Sequence, residues 1–174
     1  MAVLSGSLPG GTPKTFYRSL MTKTPCPVVL DARGPELLEI LPLRPLVVKP
    51  NREELGKTLG RELRTDEDLR AAMVETHRLG AQWVIVSQGK DALWVYSAGK
   101  FHVFRPAKVP TVNPIGCGDC LAAGIAWATD RGMPMLEAVP FGMAAAAENA
   151  AMLLPSRLEL KRVEARMLEV ELSV

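Results

Sequence analysis

Asn113-Pro114-Ile115-Gly116-Cys117-Gly118-Asp119-Cys120 is the stretch on which the reading of this chain turns. Its last four residues form a Cys-x-x-Cys pair, the spacing of a redox dithiol or of half a zinc site. The overlapping Gly-Cys-Gly-Asp offers a different chemistry. Two glycines let backbone amides approach an anion closely, and a helix beginning at Gly118 or Asp119 adds its positive end at the same spot. A carboxylate beside such an anion hole suits phosphoryl transfer, with Asp119 accepting a hydroxyl proton. The plainer reading is that Asp119 only neutralises the helix terminus.

The metal and thiol readings lose ground when the rest of the chain is counted. A structural zinc site takes four ligands, yet the only histidines, His77 and His102, lie far apart and show no ligand spacing. The three cysteines, Cys26, Cys117 and Cys120, cannot all pair and are too sparse for a secreted disulfide scaffold, so a reducing compartment fits best. A thiol at a helix N-terminus is activated, which keeps a dithiol oxidoreductase among the alternatives. Against it, the motif comes late in the chain, and Leu121, Ala122 and Ala123 beside it suit a Cys120 that packs as a small apolar residue.

Working outward, short β-rich runs at residues 2–4, 27–30, 46–48 and 83–86 each end in a polar or glycine-containing turn and read as buried parallel strands. Helical patterns lie between them at about 13–23, 35–41 and 66–79, the last closed by Gly80. Residues 92–97 and 100–105 alternate across Ala98-Gly99 as an antiparallel hairpin. After the opening motif come a small-residue helix over 121–129 and a second over 134–154, expected to be interrupted at Pro140. The charged, amphipathic 158–172 should close the fold as a surface helix with a short last strand. Alternation of strands and helices makes residues 1–174 a single α/β domain in expectation.

Composition narrows the partners. With 174 residues, 48% hydrophobic and 23% charged, the chain can bury an ordinary core, and a net charge of +2 gives no nucleic-acid or membrane surface. Trp83, Trp94 and Trp127 lie in apolar runs and read as core rather than as a platform for bases. His77 is expected on the exposed side of its helix. No apolar stretch reaches the roughly 18 residues of a membrane span and no leader pattern is evident, so a cytoplasmic location is expected.

In open α/β sheets ligands bind beyond the carboxyl ends of the strands. Four polar segments fall there: Ser5 to Gly11, Lys49 to Glu54, Ser87 to Ala92, and the opening motif. Taken singly, the first is a turn without the Gly-Lys-Ser/Thr ending of a Walker loop, and the second has Asn51 and Glu54 at the spacing of a helix capping pair. The third is a loop in which Lys90 is solvated.

Taken in order, these segments resemble the PfkB branch of the ribokinase-like sugar kinases. Asn113 to Asp119 is similar to that family's Asp-Thr-Val-Gly-Ala-Gly-Asp type signature. Ser-Gly-Ser-Leu-Pro and Lys-Pro-Asn-Arg-Glu-Glu-Leu most resemble the 1-phosphofructokinase and tagatose-6-phosphate kinase subgroup. The resemblance implies a three-layer sandwich, a mostly parallel sheet with helices on both faces and one antiparallel hairpin. It implies ATP-dependent phosphorylation of a sugar phosphate of the fructose-1-phosphate, fructose-6-phosphate or tagatose-6-phosphate type.

By resemblance, Asp119 is the base, with amides of Gly116, Cys117 and Gly118 stabilising the transferring charge. Asn51 and Glu54 match an Asn-x-x-Glu that organises Mg2+ through water, and Lys49 sits near the ATP phosphates. Ser87, Gln88, Gly89, Lys90, Asp91 and Ala92 match the nucleotide loop, Asn149 the adenine pocket, Ser7 a sugar-phosphate contact, and Asn113 to Ile115 the neighbourhood of a monovalent cation (K+). Cys117 replaces a usual small residue, Cys120 a frequent Ser and Ala92 a frequent Gly; none removes a required group, since these contacts come mainly from backbone.

Relatives carry a further stretch before Ser-Gly-Ser-Leu-Pro, with more strands, a β lid and most sugar-binding residues. The chain is therefore expected to be a fragment, a naturally short kinase, or one whose lid comes from a homodimer mate or another partner. The alternative from a different class is a nucleotide-binding module without catalysis of its own.

Overall fold

A computed structural model describes residues 1–173. Their contacts gather into two compact units, one of Ala2–Gly89 with Leu93–His102, the other of Met1, Lys90–Ala92 and the chain from Val103 onward. The first unit carries β1 (Ala2–Ser5), α1 (Phe16–Met21), β2 (Val28–Asp31), α2 (Gly34–Ile40), β3 (Val47–Val48), α3 (Arg52–Thr58), α4 (Asp66–Arg78), β4 (Trp83–Val86) and β5 (Leu93–Ser97). Strand β6 (Lys100–Arg105) passes from it into the second unit, which carries α5 (Cys117–Asp130), α6 (Met135–Ala150), α7 (Leu160–Met167) and β7 (Glu171–Ser173). The strands form one sheet in the order β1-β2-β3-β4-β5-β6-β7.

Strands β1 to β4 are parallel, in the register Val3↔Val29, Leu30↔Val48 and Val48↔Val84. Val28, Val29 and Leu30 are all buried, so successive side chains on opposite faces are covered; this is why the strand reads as an unbroken apolar run. Strands that step always in one direction through right-handed crossovers put their helices in one layer, and α1 through α4 do touch in sequence. The same topology brings the loops after β1, β2, β3 and β4 to one rim of the first unit. Capping boxes start both α3, through Asn51 and Glu54, and α4, through Thr65 and Asp68.

The antiparallel part is larger than one hairpin. β5 runs antiparallel to β4, with Ile85↔Val95, and β7 antiparallel to β6, with Phe104↔Leu172. Ala98 and Gly99 form the two-residue turn between β5 and β6 with φ of 48° and 83°, the backbone that matches strand twist.

In the second unit α5 and α6 cross at two glycines. A Cβ on Gly124 would lie 2.8 Å from the Gly142 Cα, and one on Gly142 would lie 2.7 Å from the Leu121 carbonyl oxygen. Around that crossing Cys120, Ala128, Ala138, Phe141, Ala144, Ala145 and Val163 form a buried cluster. Trp127 stacks on Phe141 with ring centroids 4.8 Å apart, and the Arg131 guanidinium covers its other side at 4.0 Å.

Several expected boundaries move. Helix α6 runs unbroken through Pro140 and ends at Ala150. The proline forfeits one backbone bond, but burial of Val139, Phe141, Met143 and Ala144 on the same helix outweighs that loss. Helix α5 begins at Cys117, earlier than expected, because Gly116 takes the N-cap position. The first and last helices are shorter, at Phe16–Met21 and Leu160–Met167. His77 is not on an exposed face: it is half-buried, its ring stands edge-on to Tyr96 at 5.3 Å, and its Nδ1 is buried without a partner. Among the described residues no helix is long and apolar enough to cross a membrane.

Candidate functional site

The opening motif folds as a tied turn in the second unit. The amides of Val112 and Asn113 both donate to the Ala150 carbonyl, at 2.7 and 3.0 Å, fastening the incoming loop to the end of α6. Asn113 Oδ1 then accepts from the Ile115 amide at 3.0 Å, while its Nδ2 donates to the Leu153 carbonyl at 2.9 Å. Gly116 follows with φ 79°, a left-handed conformation that favours glycine, and its carbonyl accepts the Cys120 amide at 2.8 Å. Gly116, as the N-cap, has no side chain with which to cap α5, and the Cys117 amide donates to the Pro114 carbonyl at 3.3 Å. Gly118 and Asp119 are exposed in that first turn.

Asn149 holds the turn from behind. It is fully buried; its Nδ2 donates to the Ile115 carbonyl at 2.8 Å and to Cys117 Sγ at 3.3 Å, and its Oδ1 accepts the Ser156 amide at 2.7 Å. The amide expected at an adenine pocket is thus committed to protein partners. The surface beside the turn carries the apolar groups instead: Val112, Ile115, Leu153 and Leu154 are 54%, 69%, 75% and 51% exposed, enough to make a wall for a flat ring. Sequence reading passed over them, although Leu153-Leu154 just past a helix end was a visible signal. On the other side, Asp119 and Cys120 border a largely apolar groove of about 350 Å³ whose walls include Trp127, Phe141 and Leu158.

The two thiols differ. Cys117 is half-buried, whereas Cys120 is 5% exposed, and burial pushes its thiol above the ordinary range. Iodoacetamide at mildly alkaline pH should therefore modify Cys117 well before Cys120, as read by peptide mass spectrometry. Equal rates would show that Cys120 is not the packed apolar residue its setting implies.

The first unit presents a separate set at the ends of its parallel strands. Tyr17 donates its hydroxyl to the carbonyls of Ser5, at 2.9 Å, and Gly6, at 3.0 Å, and the Gly6 amide donates to the Asp31 carbonyl at 3.2 Å. Burial, with the Asp31 and Glu36 charges adding to it, raises the Tyr17 hydroxyl above its usual range and keeps it a donor. Lys49 is 3% exposed, and its ammonium lies 3.0 Å from Asp31 Oδ2. Asn51 Oδ1 accepts the Glu54 amide at 2.8 Å, and Glu54 Oε2 accepts the Asn51 amide at 3.0 Å. Arg33, exposed, reaches Glu54 Oε1 and Ser7 Oγ, each at 3.2 Å.

The nucleotide-loop candidates divide. Ser87 bridges to Asn51, and Gln88 Oε1 accepts from Arg52 Nη1 at 2.9 Å, so both join the Asn51 loop; Gly89 is exposed there. Lys90, Asp91 and Ala92 group with the second unit. Asp31, Arg33 and Tyr17 escaped the sequence reading, although a carboxylate closing Val-Val-Leu-Asp at a strand end was the available sign for the first. Among the described residues no three His, Cys, Asp or Glu side chains are grouped to cage a metal. The side-chain oxygens of Asn51 and Glu54 each hold a protein partner, Asn51 Oδ1 the Glu54 amide, Glu54 Oε2 the Asn51 amide and Glu54 Oε1 Arg33, so a hard cation would meet them through its own waters rather than directly.

The family described as pfkB family carbohydrate kinase matches residues 2–152. Phosphofructokinase-2 from Escherichia coli in complex with potassium has a TM-score of 0.86 at 25% identity, over 95% of this chain and 55% of that one. The same enzyme in complex with fructose-6-phosphate has a TM-score of 0.81 at 27% identity, again over 95% and 55%. A possible 1-phosphofructokinase from Thermotoga maritima has 0.85 at 23% identity over 98% and 56%, a likeness of fold. The chain spans a little over half the length of these structures.

Proposed function

Since the chain belongs to the pfkB family of carbohydrate kinases, we propose that it carries the nucleotide-binding and catalytic portion of an ATP-dependent sugar-phosphate kinase. The observation that carries this reading is the turn at Gly116: a left-handed glycine opening a fourteen-residue helix, with Asp119 exposed in its first turn. Asp119 takes the proton of the acceptor hydroxyl as that oxygen bonds to the γ-phosphorus and the bond to the ADP oxygen breaks. Amides of Gly116, Cys117 and Gly118 stabilise the charge on the transferring group, Cys117 sharing its N–H with the Pro114 carbonyl 3.3 Å away.

Lys49, oriented by Asp31, would lie by the phosphates, and Asn51 and Glu54 would hold Mg2+ through its waters, where it would supply charge neutralisation and alignment of the phosphates. Ser87 to Ala92 receive the nucleotide, and the apolar side chains Val112, Ile115, Leu153 and Leu154 form a surface for its base. An exposed guanidinium bridging Ser7 and Glu54 favours a phosphorylated acceptor over a neutral sugar. Fructose-1-phosphate, fructose-6-phosphate and tagatose-6-phosphate are the acceptors in view. K+ near Asn113 to Ile115, a cytoplasmic location, and a second copy or another chain supplying a lid complete the reading.

A coupled kinase assay over those three sugar phosphates, run beside a calorimetric titration with Mg-ATP, tests it. Turnover with at least one is the expected result. A nucleotide-binding module without catalysis is the second reading, and Mg-ATP binding without turnover would select it.

A further inference from the structure

We propose that the adjacent residues Glu148 and Asn149 form a positioning pair through which α7 sets the geometry of the Gly116 turn. The catalytic consequence rests on reading that turn as an anion hole. Both residues are fully buried, in the last turn of a helix otherwise rich in alanine. Arg166 of α7 donates through Nε, at 2.9 Å, and Nη2, at 2.8 Å, to Glu148 Oε2. Arg162 Nε lies 2.7 Å from Oε1 but out of line for a hydrogen bond, so that contact is mainly charge on charge. One residue on, about 100° around the helix, Asn149 grips the turn at Ile115 and Cys117.

A buried ion pair is a poor way to gain stability, because an apolar residue of similar volume at 148 would pack as well without the desolvation cost. What a carboxylate gripped by two guanidinium groups does supply is register: it fixes where α7 lies along α6. The chain between those helices runs back over the turn. Ser156 donates its amide to Asn149 Oδ1 at 2.7 Å and holds φ at 62°. Pro155 Cβ and Ser156 Oγ both lie 3.5 Å from where a Cβ on Gly116 would be. Contacts are therefore continuous from α7 through Glu148 and Asn149 to the Gly116 turn.

The experiment reads the backbone amides of Gly116, Cys117 and Gly118 by NMR in the full chain, alone and titrated with inorganic phosphate. The variants are Arg166→Gln, Arg166→Lys and Asn149→Asp, the last keeping the acceptor for Ser156 while losing the donor to Ile115 and Cys117. Arg166→Gln and Asn149→Asp should shift the turn amides and weaken their response to phosphate about fivefold to tenfold, the low end of ordinary coupling between sites. Arg166→Lys should restore part of it. A folded Arg166→Gln with wild-type turn amides and phosphate response overturns the coupling. Wild-type amides that ignore phosphate overturn the anion-hole reading, and the catalytic consequence with it, whereas shifted amides in the variants would still establish the positioning.

Discussion

Asp119→Asn should lower turnover about a thousandfold and leave Mg-ATP affinity nearly unchanged. The substitution keeps the size of the side chain and its place in the first turn of α5 but removes the oxygen able to take a proton. The amides that would hold phosphate belong to the backbone and stay where they are. A structural carboxylate, present only to neutralise the helix end, would behave differently: its loss would change stability by about 0.3–1 kcal/mol and leave chemistry alone. Steady-state rates beside calorimetry separate the two, and an unchanged rate removes Asp119 from the mechanism.

Gly124→Val should cost about 3 kcal/mol of stability, at the upper end for overpacking a core. A Cβ at this position meets the Gly142 Cα at 2.8 Å and the Ala145 Cβ at 3.2 Å, so backbone rather than a flexible side-chain end must yield. For a chain of this size that cost corresponds to a melting point lower by roughly 6–12 °C. Because α5 must move off α6, the helix that carries Asp119 moves with it, and turnover should fall even at temperatures where the variant is folded. The exposed neighbour provides the control: Ala123→Val should change stability by less than about 0.5 kcal/mol. Equal melting points for the two variants would mean that the crossing is looser than the distances imply.

Local chemistry made much of this molecule legible. The apolar runs at Val28 to Leu30 and Trp83 to Val86 are strands because burial on both faces leaves no alternation to misread. Asn51 and Glu54 have the spacing of a capping box and form one. Cys120 packs as an apolar residue, as Leu121 and Ala122 beside it suggested. What stayed hidden depends on contacts between distant segments. Pro140 reads as a break until the burial of α6 is known, and the grip of Asn149 on Ile115 and Ser156 joins segments that no local pattern links. Arg33 shows nothing in sequence, because its meaning comes from reaching Ser7 and Glu54, 26 and 21 positions away.

The Asn51–Glu54 capping box has a thermodynamic consequence for binding. The loop that would receive a hydrated cation is shaped by the start of α3, so its ordering entropy is spent when the chain folds and little remains to be lost when a ligand arrives. Association there should accordingly carry a small entropic penalty and leave the helix boundary where it already lies.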